Sequence, residues 1–425
     1  MQRKDYSLIG ETVYTEKLAN GLTILTVPKQ GFNKYFAYLA VNYGAIDRRF
    51  KLMGHIEDTP PGVAHFLEHK MFDTAEGDAM TMLSANGASS NAYTSPDITA
   101  YHFDCVDKFY QNLEILLGFV STPYFMPESI EREKGIITQE ILMSDDDPDY
   151  CLYYGLMKSL FKSSPLRDSV AGTIDSISEI TVGTLETCHK TFYNPSNMVL
   201  CVAGNVDPSE VAAAAQSILP PTPVDVPVRD YGPQEDLQPV KKLTTKEMDV
   251  SLPLFLAGCK IPPVDNGPGA LLFELVGAIV MEILAGHSSP LYFKLYDEGL
   301  VSSDFSASID DTAGAAYMLF GGETRDPDRV FNEVIKEIRK VAESGCDPKL
   351  FERIKKAAIG SHIRMLNSFD AICSSLSGGY FRGYNAFEAP MMVSKITDSD
   401  VSSFAREYLI PGNMAISVIN PKVEV

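Results

Sequence analysis

Two distant stretches of this 425-residue chain end alike, and that constrains its fold more than any single motif. Ser178-Glu179-Ile180-Thr181 and Ser394-Lys395-Ile396-Thr397 lie 216 positions apart, and at the same offset Pro195-Ser196-Asn197-Met198 answers Pro411-Gly412-Asn413-Met414. After each Asn-Met pair comes a strand-like run, Val199-Leu200-Cys201-Val202 in one half and Ala415-Ile416-Ser417-Val418 in the other. Halves of similar length that close on the same pattern predict a duplicated domain. Between them Pro220, Pro221, Pro223, Pro227 and Pro233 stand among several acids with almost no period, which predicts a linker. The expected division is residues 1–219, a linker over 220–245, and a homologous domain over 246–425. Each half mixes helical stretches such as Asp107–Val120 and Leu271–Leu284 with strand-like runs such as Val199–Val202 and Leu252–Leu256, so the predicted class is α+β. At 45% hydrophobic and 22% charged residues the chain has ample material for two cores.

The chemistry is narrowed by His65-Phe66-Leu67-Glu68-His69. Residues four apart on a helix stack on one face about 6 Å apart, so His65 and His69 can close on one metal ion with Glu68 beside both. Val63, Ala64, Phe66, Leu67, Met71 and Phe72 make the segment apolar almost all round, which describes a buried helix. Two imidazoles and a carboxylate are costly to bury unless something pairs with them. A bound cation would do so, and so would a hydrogen-bonded polar cluster in the core.

Zinc with an open position takes three protein ligands. The best source of a third is Glu131-Arg132-Glu133-Lys134-Gly135-Ile136-Ile137-Thr138-Gln139-Glu140-Ile141, where Glu133 and Glu140 are two helical turns apart on one face. Ile136, Ile137 and Ile141 are expected on the buried side of this helix. Without the first motif the segment would read as an ordinary solvated charged helix.

Together these residues resemble the inverzincin zinc peptidases, the family of pitrilysin, insulysin and the mitochondrial processing peptidase, in which His-x-x-Glu-His is followed some seventy residues later by a helix carrying the third ligand. Here His69 and Glu140 are 71 apart. The resemblance implies Zn2+ held by His65, His69 and Glu140, Glu68 as general base, and Glu133 as a supporting carboxylate. It also implies a fold of paired α/β rolls. Asn86-Gly87-Ala88-Ser89-Ser90-Asn91-Ala92-Tyr93-Thr94-Ser95, followed by Thr99-Ala100-Tyr101-His102-Phe103-Asp104, is by itself an ordinary hairpin. In the family the equivalent of Asn91, Ala92, Tyr93 and Thr94 is a sheet edge on which an extended peptide pairs through its backbone. Glu68-His69-Lys70-Met71-Phe72, Asp145-Asp146-Asp147-Pro148-Asp149 and Phe192-Tyr193-Asn194-Pro195-Ser196-Asn197-Met198 are most similar to the bacterial YmfH-type branch. The implied activity is hydrolysis of peptides by a zinc metalloendopeptidase, with a non-catalytic structural or peptide-binding subunit of the same family as the alternative.

The zinc helix shifted by 216 falls on Met281–Leu284, which carries no such motif, so only the first half can hold the metal. In self-sufficient relatives the second half supplies an arginine and, six or seven residues later, a tyrosine that grip the substrate backbone. Here Tyr296 and Ser302 occupy those places. The departure implies a homologous partner chain bearing the Arg/Tyr clamp, or otherwise a monomer or homodimer. A net charge of −20 argues against nucleic acid as a partner. No signal peptide is expected behind Met1-Gln2-Arg3-Lys4-Asp5-Tyr6. Nor is membrane insertion expected, because Glu274 and Glu282 interrupt the longest apolar stretch. Seven scattered cysteines without Cys-x-x-Cys read as reduced thiols of a bacterial cytoplasm. The adjacent Cys188-His189 is not expected to form a nucleophile pair, since helix neighbours point about 100° apart.

Overall fold

The computed structural model describes residues 1–52, 54–222, 224–312 and 314–422. Pro223 of the expected linker and the last three residues of the expected second domain lie outside them. The chain forms two compact units, residues 1–141 with 169–231 and 363–387, and residues 142–168 with 232–362 and 388–425.

The first unit holds a seven-stranded sheet of β1 (Gln2–Tyr6), β2 (Glu11–Lys17), β3 (Thr23–Pro28), β4 (Tyr35–Val41), β5 (Ser89–Thr94), β6 (Thr99–Cys105) and β7 (Met198–Gly204), in the order β1-β2-β3-β7-β4-β6-β5. The second holds β8 (Leu243–Met248), β9 (Leu254–Ile261), β10 (Ser306–Thr312), β11 (Ala315–Glu323) and β12 (Met414–Pro421), in the order β8-β12-β9-β11-β10. The β3-β7-β4-β6-β5 segment and the whole second sheet follow one plan. In each, a parallel pair (β3 with β7, β8 with β12) is followed by antiparallel neighbours. This is the duplicated α+β roll that the 216-residue offset predicts, and the two Asn-Met signals open β7 and β12 or sit just before them.

β7 shows why its sequence is an unbroken apolar run. Leu200 and Val202 enter one core while Val199, Cys201 and Ala203 enter another on the opposite face. A strand covered on both sides needs no polar alternation. Helices that cover the two sheets include α1 (Val63–Met71), α2 (Pro127–Asp145), α3 (Pro148–Leu160), α4 (Pro268–Ala285) and α5 (Phe369–Phe381). α1 and the buried isoleucines of α2 belong to one core of the first sheet, and Phe369, Ile372, Cys373 and Leu376 of α5 to the core on its other face. In the second unit α3 lies on β9 and β12, and α4 packs on β10. Compactness therefore does not follow chain order. α3, from the first half of the sequence, completes the second unit, and α5, from the second half, completes the first. An amphipathic helix encodes a buried face, but its sequence does not say which sheet that face will meet.

The Pro-rich stretch is anchored at both ends. In the first unit Val228 and Arg229 pair with Lys51 and Phe50, and Arg229 meets the buried carboxylate of Asp47 at 2.8 Å. In the second, Glu235 accepts the backbone N–H groups of Lys162, Ser163 and Ser164 at 2.8, 2.6 and 2.6 Å and meets Lys260 at 3.2 Å. Burial works against the Glu235 carboxylate, yet these donors hold its pKa down at about 2.

By length and composition one segment among the described residues, Pro268–Asp297, is apolar enough to cross a membrane, and 67% of its most apolar stretch is buried inside the protein. Among the described residues all seven cysteines are free.

Candidate active site

The site is built on α1, whose starting point is tightly fixed. Gly62 precedes it at φ 95°, and a Cβ there would lie 2.6 Å from the carbonyl oxygen of Ala171. Only glycine fits both the left-handed backbone and that close approach. Ser176 adds a hydrogen bond to the Pro61 carbonyl at 2.8 Å. Phe66, Leu67 and Met71 are buried, so the helix cannot rotate without leaving its core. His65 and His69 then stand on one face with ring centroids 4.6 Å apart.

α2 brings up Glu140. Its Oε1 is 3.5 Å from His65 Nε2, and its Oε2 is 3.8 Å from His69 Nε2. One donor atom from each of the three residues lies within 4.8 Å of the other two. These separations are too long for strong hydrogen bonds. They suit ligands around a common centre, since two donors at about 2.1 Å in tetrahedral array stand about 3.4 Å apart. Two neutral imidazoles and a carboxylate are also the donor chemistry of a catalytic zinc site, and the residues fit that ion. The Glu140 carboxyl is held below its ordinary pKa, first by its contact with His65, against a cost of burial.

Glu133, two turns back on the same face of α2, accepts a hydrogen bond from His69 Nδ1 at 3.0 Å. Burial alone would raise the Glu133 pKa and lower that of His69. Their mutual bond and neighbouring charges reverse both shifts, leaving Glu133 below and His69 above its ordinary value. His65 has no such support, for its Nδ1 is buried with no hydrogen-bond partner among the described residues. One expectation for α2 is corrected. Ile130, Ile137 and Ile141 form its buried stripe, whereas Ile136 is 56% exposed. The spacing 130, 137, 141 follows the helical period, and 136 falls off it.

Glu68 is outside the His65, His69 and Glu140 cluster and 8% exposed. Its Oε2 accepts a hydrogen bond from Thr94 Oγ1 at 2.8 Å, which joins α1 to β5. β5 is the outermost strand of its sheet, paired only to β6 among the described residues. Along it Ala92 and Thr94 are half-buried, while Asn91 and Tyr93 are exposed on the alternate positions. The Tyr93 hydroxyl meets that of Tyr38 at 2.5 Å. The structure thus places Asn91, Ala92, Tyr93 and Thr94 on a free sheet edge that ends against Glu68.

A residue that motif reading passed over is Lys70, next to His69 and only 1% exposed. Its ammonium bonds Asp73, donates to Ser129 Oγ at 2.5 Å and lies 3.5 Å from Glu133 Oε2. The available signal was a lysine inside a helix expected to be buried, where it can sit only if paired. Cys188 and His189 form no catalytic pair. Burial pushes the Cys188 thiol up to about 12, and His189 Nε2 bonds the Val120 carbonyl at 3.0 Å. In the second unit Tyr296, 53% exposed, lies in the last turn of the helix Pro290–Asp297 with its ring stacked 5.7 Å from Tyr292, and the Ser302 hydroxyl is taken up by Asp304.

A two-copy α+β roll whose first copy gathers two histidines and a glutamate defines a class, and comparison with known proteins gives its family. Residues 52–174 match the model of the insulinase peptidases, family M16, and residues 179–358 that of the M16 inactive domain. The chain is 36% identical over 98% of its length, and 99% of the relative's, to the uncharacterized zinc protease YmfH of Bacillus subtilis. A crystal structure of a chain described as an M16-like peptidase, from Alicyclobacillus acidocaldarius, superposes with a TM-score of 0.93 at 32% identity, covering 97% of this chain and 99% of that one. A protease from Helicobacter pylori shares the fold at a TM-score of 0.82 and 19% identity, over 96% and 99% of the two chains. The protein therefore belongs to peptidase family M16, in its YmfH branch.

Proposed function

We propose that this chain is a zinc-dependent metalloendopeptidase of the bacterial cytoplasm. Residues 1–219 form its catalytic domain, 220–245 a linker and 246–425 a homologous domain without the metal. The observation that carries this reading is the junction of three parts: the His65, His69 and Glu140 cluster, the adjacent Glu68, and a free sheet edge ending at Thr94. His65, His69 and Glu140 would hold the ion, which when bound supplies a Lewis acid that polarises a peptide carbonyl and acidifies water. A substrate strand pairs with the backbone of Asn91, Ala92, Tyr93 and Thr94 and so presents a peptide bond beside Glu68. Glu68 takes a proton from the attacking water and passes one to the leaving amine nitrogen. Thr94 keeps the acceptor oxygen of Glu68 in place, and Glu133 holds His69 with Nε2 toward the ligand cluster.

Tyr296 and Ser302 leave the chain without the arginine and tyrosine that relatives use on the substrate backbone. A homologous partner subunit supplies them in this reading, failing which the chain works as a homodimer. The same departure favours the second reading, a peptide-binding subunit without turnover. Glu68→Gln separates the two. Wild type hydrolyses a quenched peptide library, alone or with the homologous chain added, and the variant keeps its zinc while losing about 10²–10⁴ in rate. Near-normal hydrolysis by the variant removes Glu68 as base. No hydrolysis by wild type under either condition leaves the peptide-binding reading.

A further inference from the structure

We infer that Lys70 is a positioning residue for the metal site, acting on His69 through Glu133; the inference rests on the zinc reading of that site. The Lys70 ammonium is almost fully buried and surrounded by oxygen atoms: Asp73, Ser129 Oγ at 2.5 Å and Glu133 Oε2 at 3.5 Å. Ser129 completes the loop by donating to Asp73 Oδ2 at 2.6 Å. Glu133 therefore has one oxygen toward Lys70 and the other, Oε1, 3.0 Å from His69 Nδ1.

The chain of consequences is chemical. With the Lys70 ammonium on Oε2, Glu133 keeps Oε1 directed at His69 as an acceptor. The proton of His69 is then fixed on Nδ1, and Nε2 keeps its lone pair on the side of Glu140, 3.8 Å away. Without Lys70, Asp73 and Ser129 lose the cation between them, and Glu133 loses the contact on Oε2 that keeps its Oε1 turned to His69. His69 would lose its fixed acceptor and with it both its tautomer and its ring angle. The ring of His65 has no compensating tether, because its Nδ1 is unpartnered among the described residues. Polar positioning of the imidazole pair thus falls on the Lys70-Glu133-His69 line.

The sign of the effect distinguishes positioning from charge. A nearby ammonium by itself repels a divalent cation, so its removal as a mere charge would tighten metal binding. Removal of a positioning group weakens it, by about 10–100-fold for residues that orient a ligand. The test measures zinc affinity of the full chain by chelator competition, alongside circular dichroism and the thermal transition of the metal-free protein. Lys70→Met is expected to weaken zinc binding by about 10–100-fold, Lys70→Arg to restore most of it, and Asp73→Asn to weaken it several-fold with the fold intact. Asp73 lies nearer the surface, so Asp73→Asn keeps the test decisive if Lys70→Met does not fold. Unchanged or tighter zinc binding in either variant overturns the inference, as does a lowered thermal transition with zinc affinity unaltered, which is what a purely structural lysine would give. A wild-type chain without zinc would instead remove the metal reading itself.

Discussion

The two units share a strand order and differ in what one helix buries. In the first, α1 is nine residues long and places His65, Glu68, His69 and Lys70 among Phe66, Leu67 and Met71. In the second, the stretch at the equivalent offset lies in α4, which is twice as long and buries Val280, Met281, Ile283 and Leu284 while Glu282 faces outward. The sheets do not need the polar cluster in order to form, because the second is built on the same plan without it. What duplication conserved is the pattern of apolar strands and covering helices. The site was added to, or kept in, one copy by a few side chains whose burial is tolerable only because each has a partner.

This comparison can be broken by mutation. Ile283→Ala in α4 removes a fully packed side chain and should cost about 2–5 kcal/mol in denaturant unfolding, with zinc stoichiometry untouched. Leu67→Ala in α1 should cost as much and also weaken zinc binding, since Leu67 lies between Phe66 and the Glu68-His69 pair. If Ile283→Ala abolished zinc binding, the metal site would depend on the second copy in a way that neither helix explains.

A smaller effect sharpens the account of how the second unit holds its end of the linker. Glu235 has a folded pKa near 2, below the value of about 4.3 for an unfolded glutamate. A depressed carboxylate contributes stability above the unfolded pKa and loses it as pH falls through the folded one. Amide exchange at Lys162, Ser163 and Ser164 should be faster in Glu235→Gln than in wild type at neutral pH. The gap should close between about pH 4.3 and about pH 2. A gap independent of pH would mean that Glu235 acts without its charge.

Much of the architecture was legible because it is local or periodic. The 216-residue offset, the strand-like runs and the α+β mixture can all be read along the sequence. The histidine pair is contiguous, and the helical period alone puts Glu133 and Glu140 on one face. Lys70 was not legible in the same way. Its partners Ser129 and Glu133 stand on another helix, and no motif links them to it. The helix exchange escaped for a related reason, since α3 and α5 carry ordinary apolar faces that would suit either sheet. Ile136 escaped because three isoleucines close in sequence look like one stripe until the 3.6-residue period is laid over them.

Zinc content together with X-ray absorption at the zinc edge of the purified full chain tests the central claim most directly. About one zinc per chain, held only by nitrogen and oxygen at about 2.0–2.2 Å, is the expected result. Absence of zinc, or a sulfur ligand at about 2.3 Å, would contradict a site made of His65, His69 and Glu140.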